Sequence, residues 1–262
     1  MENFNYWKKQ DKPLFSDLLW NLPEQKSGKL AIVGGNSQNF STEVKISEFC
    51  LKNFSLESVT TIFPDSLKTK LPPFPNLVFA PSTDSGTFKK SAELASALDS
   101  SDISVFLGDF SKNAETSIAI SSALKSLTTP AIITRDTIDL VADTAGDFIE
   151  KDNLFIIASA IQLQKLFRAL YYPKVILLST PILPVVEVLH KFTLSYPVTI
   201  LTFHEGQILT AHSGKVISTP IEKTSYSPLS LWSGELASRI ATLSLANPSL
   251  PLESATAAIL WQ

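Results

Sequence analysis

The sequence predicts an α/β protein, doubly wound around a mainly parallel sheet of about eight strands, with helices on both faces and a late β-hairpin. Three observations carry this prediction. Short apolar runs recur along most of the chain with helical segments between them, as βαβ units require. The runs are continuously apolar rather than alternating, as expected of parallel strands covered on both faces. Near the C-terminus two strand-like runs flank His212-Ser213-Gly214, which reads as a hairpin.

Taken in order, residues 1–28 form a leader expected to pack on a single domain covering 29–262, with a short helix around Ser16 to Trp20. Lys29 to Gly34 reads as a strand closed by Gly34-Gly35, and a helix follows with Thr42 as its candidate N-cap. Strand-like runs then fall at 59–63, 77–80, 103–107, 131–134, 154–158, 175–179 and 198–203. Helical segments are expected at 88–98, 114–127, 161–170 and 184–195. After the hairpin, a loop enters a helix through Trp232-Ser233-Gly234-Glu235, and a last helix spans 252–261. Proline-rich Leu71 to Pro75 is a stiff connection and marks no domain boundary.

Composition excludes several classes. A hydrophobic fraction of 44% with 18% charged residues supplies a full core and argues against disorder. The formal charge of −3 gives no field that would draw nucleic acid. No apolar run reaches membrane-spanning length, and a cytoplasmic protein is the simplest expectation. The one cysteine, Cys50, lies in an apolar helical stretch and reads as a core residue. Glycine is scarce at 9 residues, which limits phosphate-cradling loops.

Candidate chemistry concentrates where strands end. Gly34-Gly35-Asn36-Ser37 follows a strand and precedes a helix, the usual place of a ligand loop in α/β folds. It lacks the G-x-G-x-x-G spacing of a dinucleotide site, and a simple tight turn explains it equally well. Asp109, after the strand ending at Gly108, either orients a polar substrate or belongs to a capping cluster before the helix at Ala114. Asp136, after the strand ending at Thr134, carries the same two readings. His190, His204 and His212 show no metal-ligand spacing, so no metal site is expected. A nucleophile elbow and a Walker A loop are both absent. At the Ser233-Gly234-Glu235 corner, free backbone N–H groups and the helix dipole suit a phosphate, with Glu235 as a base beside it. Ser233 as an ordinary N-cap and Glu235 as a first-turn acid are the structural alternative.

The order K-x-G-K-L-x-I-V-G-G, a strand ending in Gly108, a strand ending near Asp136, a late hairpin and then S-G-E opening a helix resembles one family. That family is the ribokinase-like ADP/ATP-dependent NAD(P)H-hydrate dehydratases, which repair hydrated nicotinamide cofactors. The resemblance covers Lys26 to the end. It implies ATP or ADP as phosphate donor, with Mg2+ as a companion, and a hydrated NADH or NADPH as substrate. It further implies Glu235 as the catalytic base and Ser233, Gly234, Trp232, Thr202 and His204 around the nucleotide. Gly35, Asn36, Asp109 and Asp136 would face the substrate. Small nucleotides are then the expected partners, with neither nucleic acid nor membrane, and a homo-oligomer stays open.

The chain departs from the family's pattern at these positions. Trp232 stands where G-[ST]-G-D has its first glycine, and Glu235 replaces the aspartate. Its carboxylate thereby stands about one C–C bond further from the backbone than an aspartate's. Asp109-Phe110-Ser111-Lys112 replaces P-G-L-G, and Thr134 replaces the first aspartate of D-A-D-A-L. Ala158-Ser159-Ala160-Ile161 replaces T-P-H-P-G-E, and no cation follows Thr202-Phe203. Two expectations follow: a divergent nucleotide-dependent dehydratase, or an inactive relative that keeps the fold for binding or assembly.

Overall fold

A computed structural model describes residues 5–10, 18 and 28–261. The apolar runs pair into one ten-stranded sheet. Its strands are β1 (Trp7–Lys9), β2 (Lys29–Gly34), β3 (Ser58–Pro64), β4 (Leu77–Ala80) and β5 (Ile103–Gly108). They continue as β6 (Ala131–Thr134), β7 (Leu154–Ile157), β8 (Thr199–His204), β9 (Gln207–His212) and β10 (Lys215–Pro220). The spatial order is β1-β10-β9-β8-β7-β6-β5-β2-β3-β4. Pairings from β4 across to β8 are parallel, and β8-β9-β10 is antiparallel.

Helices cover both faces because the strands are apolar on both. On one side lie α1 (Ser41–Asn53), α7 (Glu235–Ala246) and α8 (Pro251–Leu260), which meet Leu30, Ile32, Val105, Leu107 and Ile157. The other side carries α2 (Ala92–Asp99), α3 (Ala114–Ser126), α4 (Asp136–Val141), α5 (Ala160–Ala169) and α6 (Ile182–Ser195). These pack on Val33, Ile62, Phe106, Ile133 and Ile156. Cys50 is fully buried in the α1 interface, where burial pushes its thiol up to about 12, as suits a core residue.

The structure corrects several expectations. Ten strands form where about eight were expected: both hairpin strands, β9 and β10, extend the sheet beyond β8, and Trp7–Lys9 from the leader adds a parallel edge strand to β10. The helix expected at Ser16 to Trp20 lies outside the described residues, apart from Leu18. Val175 to Ser179 is not a strand: β6 and β8 already occupy both edges of β7, so no position beside β7 is open to it. Instead a turn donates Thr180 N–H to the Leu177 carbonyl, leaving Leu177 and Leu178 exposed. The N-cap of α1 is Phe40, not Thr42. The six-residue α4 escaped the sequence reading because it is too short to show a helical period.

Helix α3 begins on a side-chain cap. Asn113 Oδ1 accepts from Thr116 N–H at 2.8 Å, and its Nδ2 donates to Ser85 and Thr87 hydroxyls, both at 3.1 Å. Asn113→Ala is expected to cost about 1–2 kcal/mol in a urea unfolding curve. An unchanged midpoint would show that the cap contributes nothing.

Candidate active site

The chain runs outward from β2 through β3 to β4, then returns to β5 and runs the other way. The topological switch point therefore lies between β2 and β5, where open α/β sheets form a crevice beyond the strand ends. Four of the sequence-selected residues meet there. Gly35 N–H donates to the Gly108 carbonyl at 2.9 Å. Asn36 is buried, donates through Nδ2 to the Asp109 carbonyl, and accepts from Gln38 and Asn39 N–H on Oδ1. Asn36 thus ties the loop after β2 to the loop after β5.

Asp109 and Asp136 form the centre of this edge. The cap of α3 falls to Asn113, so Asp109 is free of that role. Its carboxylate instead pairs with Arg135 at 2.9 Å, while its N–H donates to Asp136 Oδ1 at 2.9 Å. Burial raises the Asp136 carboxyl above the ordinary aspartate range, against the Asp109 hydrogen bond that lowers it. Asp109 and Arg135 both hold positive φ, at 54° and 55°, an unusual backbone state for residues with a Cβ. Two contacts fix Arg135 there. Besides the ion pair, Gln162 of the α5 capping box donates to its carbonyl at 2.7 Å. Strained backbone held by several partners is typical of ligand sites.

Two residues of this centre were missed in the sequence, Arg135 and Glu43. Glu43 sits on the buried face of α1 with Ile46, Ser47 and Cys50, and its side chain is fully buried. Neither carboxyl oxygen has a hydrogen-bond partner of good geometry. Burial is the main cause that pushes Glu43 up to about 8, and the neighbouring charge of Asp109 adds to it. The signal was present: an acid three residues before Ile46 on a helix face otherwise built for the core. Arg135 could have been flagged as one of three arginines in the chain, standing directly after a strand.

The corner at the start of α7 opens beside this centre. A pocket of about 410 Å³ is lined by Thr42, Lys45, Ile46 and Arg135 on one side and by Leu229, Trp232, Ser233 and Glu235 on the other. Sequence comparison with the family pattern gave this corner no cation; the fold brings two, Lys45 and Arg135, to the pocket beside it. Gly234, rather than Ser233, is the N-cap of α7, with φ +99° and no side-chain cap. Ser233 Oγ only reaches Glu235 N–H at 3.5 Å. A Cβ on Gly234 would stand 2.8 Å from Leu107 and 3.0 Å from Ile46, so glycine lets the helix start press onto the sheet edge. Trp232 ends a 3₁₀ turn and is half-buried, with its side chain on the pocket wall.

Thr202 and His204 lie on β8 and do not line this pocket. Thr202 is buried with its hydroxyl unpartnered, and His204 Nε2 contacts the Thr180 carbonyl. Among the described residues, no group of three or more His, Cys, Asp or Glu is arranged to hold a metal ion. No described helix is long and apolar enough to cross a membrane.

The architecture is that of the ribokinase-like α/β proteins. Two solved structures carry that statement. A ribokinase-like superfamily protein from Enterococcus faecalis superposes with a TM-score of 0.67 and 13% identity, over 98% of this chain and 86% of its own. An ADP/ATP-dependent NAD(P)H-hydrate dehydratase from Bacillus subtilis, crystallised with ATP and Mg2+, gives 0.57 and 10% identity, over 94% and 84%. At such identities the likeness is one of fold. No protein-family model and no curated protein matches the sequence.

Proposed function

We propose that the protein binds the phosphates of ATP or ADP at the start of α7 and acts as a nucleotide-dependent dehydratase of hydrated NADH or NADPH. The observation that supports this reading is the pocket itself: a helix N-terminus, Lys45 and Arg135 on one open space of about 410 Å³, with Glu235 among its lining residues. In this reaction the substrate hydroxyl gives its proton to the Glu235 carboxylate as its oxygen bonds to the terminal phosphorus of the nucleotide, whose phosphoanhydride bond breaks to release ADP from ATP or AMP from ADP. Phosphate then leaves with the C–O electron pair, and an adjacent carbon loses a proton to restore the double bond. Asn36, Asp109 and Asp136 would orient the substrate from the crevice between β2 and β5. A magnesium ion would travel with the nucleotide phosphates.

Trp232 supports a second reading. Its side chain takes part of the wall beside Ser233, where close backbone approach to phosphate is needed, and the longer Glu235 shifts the base. Misplacement of about 1 Å can cost on the order of 100-fold in rate. On that reading the protein binds a nucleotide without turning over.

One assay separates the two. The protein is incubated with hydrated NADH and ATP or ADP while the reduced-nicotinamide absorbance is followed. Turnover that falls by about 10²–10⁴ in Glu235→Gln is the expected result. Thermal stabilisation by nucleotide without turnover would establish the binding protein. Neither turnover nor stabilisation would overturn nucleotide binding altogether.

A further inference from the structure

We propose that anion binding in the α7 pocket is coupled to proton uptake by the carboxyl of Glu43, with Arg135 as the charge shared between them. The coupling rests on the anion-binding part of the reading above and adds to it a proton-holding residue. Four observations carry it.

Glu43 occupies a place where a carboxylate is badly accommodated. Its side chain is fully buried and neither oxygen has a hydrogen-bond partner of good geometry, its own backbone amide alone acting on it weakly. Its position is tightly constrained. A Cβ built on Gly34 would stand 2.4 Å from Glu43 Oε1 and 2.7 Å from the Gly108 carbonyl oxygen. The carboxyl is therefore wedged into the β2–β5 crossing, where the pairing register shifts.

The charges facing Glu43 do not balance. Asp109, Arg135 and Asp136 are the charged groups that act on it. Asp109 already occupies the guanidinium through the 2.9 Å ion pair, and Asp136 takes only the Asp109 N–H. With all three carboxyls ionised, one cation would face three anions in a largely water-excluded edge. A proton on Glu43 relieves that excess, in accord with the direction of its shift to about 8.

Arg135 belongs to both regions. It lines the pocket and at the same time bonds to Asp109. A phosphate entering the pocket draws on the same guanidinium and adds negative charge nearby. Compensation of Asp109 falls, and every carboxyl in the group gains affinity for protons. Glu43, fully buried and raised to about 8, is still partly ionised at slightly alkaline pH and is the group that takes one up. The proton comes from bulk buffer and adds to a carboxylate oxygen, and no other bond changes.

The experiment is calorimetric titration with ADP in buffers of different ionisation enthalpy, at pH about 8 and about 6, where linkage predicts opposite outcomes. At the higher pH, where Glu43 is about half protonated before binding, uptake should be measurable and reach up to about half a proton. At the lower pH uptake by Glu43 should vanish, since the site is already protonated. Glu43→Gln should bind ADP and lose the uptake at the higher pH. Inorganic sulfate, which carries no proton of its own in this range, serves as the second probe. Uptake that persists unchanged in Glu43→Gln, with binding retained, overturns the coupling and leaves the anion site standing. Absence of any binding by ADP and sulfate overturns the anion site and the coupling with it. A carbon-13 NMR titration of the Glu43 carboxyl in the unmodified protein needs no variant. A midpoint in the ordinary glutamate range, with or without ADP, would also overturn the proposal.

Discussion

Gly108→Ala is expected to lower the melting temperature by roughly 6–12 °C, for a loss on the order of 3 kcal/mol. Gly108 closes β5 at φ +97°, and a Cβ there would stand 2.0 Å from Asp136 Oδ1. Two costs add. The positive φ imposes about 1–3 kcal/mol on a residue with a Cβ. The displaced Asp136 also gives up its bond to Asp109 N–H, about 1.5–3 kcal/mol for a charge-assisted pair. The consequence reaches the site, because Asp109 is then free to swing and its ion pair with Arg135 loosens. Gly146→Ala is the control, since a Cβ there meets nothing within 4 Å. Thermal melts of the two variants that coincide would show that the Gly108–Asp136 contact carries no weight.

The second large effect concerns pH. Burial pushes Glu43 from an ordinary 4.5 up to about 8, so the folded chain keeps a proton that the unfolded chain has released across that window. The linkage sign follows: stability is greatest below the unfolded value and falls as pH rises through the folded one. Asp136, also raised by burial, contributes in the same direction. The full loss associated with Glu43 is on the order of a few kcal/mol. Glu43→Gln keeps the shape of the neutral acid and cannot ionise. It should match the parent at pH about 5 and exceed it at pH about 9, as read from urea midpoints. Parallel decline of both proteins with pH would place the charge-sensitive group elsewhere.

Much of the architecture was legible along the chain because it rests on local pattern. Runs such as 103–107 and 154–157 are apolar without alternation, and only a sheet covered twice buries them so. The hairpin turn at Ser213-Gly214 and the helices after Asn113 and Ser159 carry their own turn and cap chemistry. Val175 to Leu178 shows the limit of such reasoning. Its residues favour a strand, but a strand needs a free edge, and sequence pattern contains no record of which edges are taken.

Ser233-Gly234-Glu235 and its order in the chain singled out a helix start, and that corner borders the pocket on which the functional proposal rests. What surrounds it came from tertiary structure alone. Arg135 and Lys45 are 90 positions apart, and they reach one pocket because β6 ends and α1 begins on the same sheet edge. Glu43 is by position a first-turn acid of α1, and only the packing of α1 on β2 and β3 shows that it is buried. By itself the sequence determined the fold class, the glycine and acid positions at strand ends, and the helix start that suits an anion. Only the tertiary structure decided which charges share that edge and which of them is buried without a partner. The reason is physical: hydrophobic period and capping act between near neighbours in the chain, whereas charge and desolvation act through space.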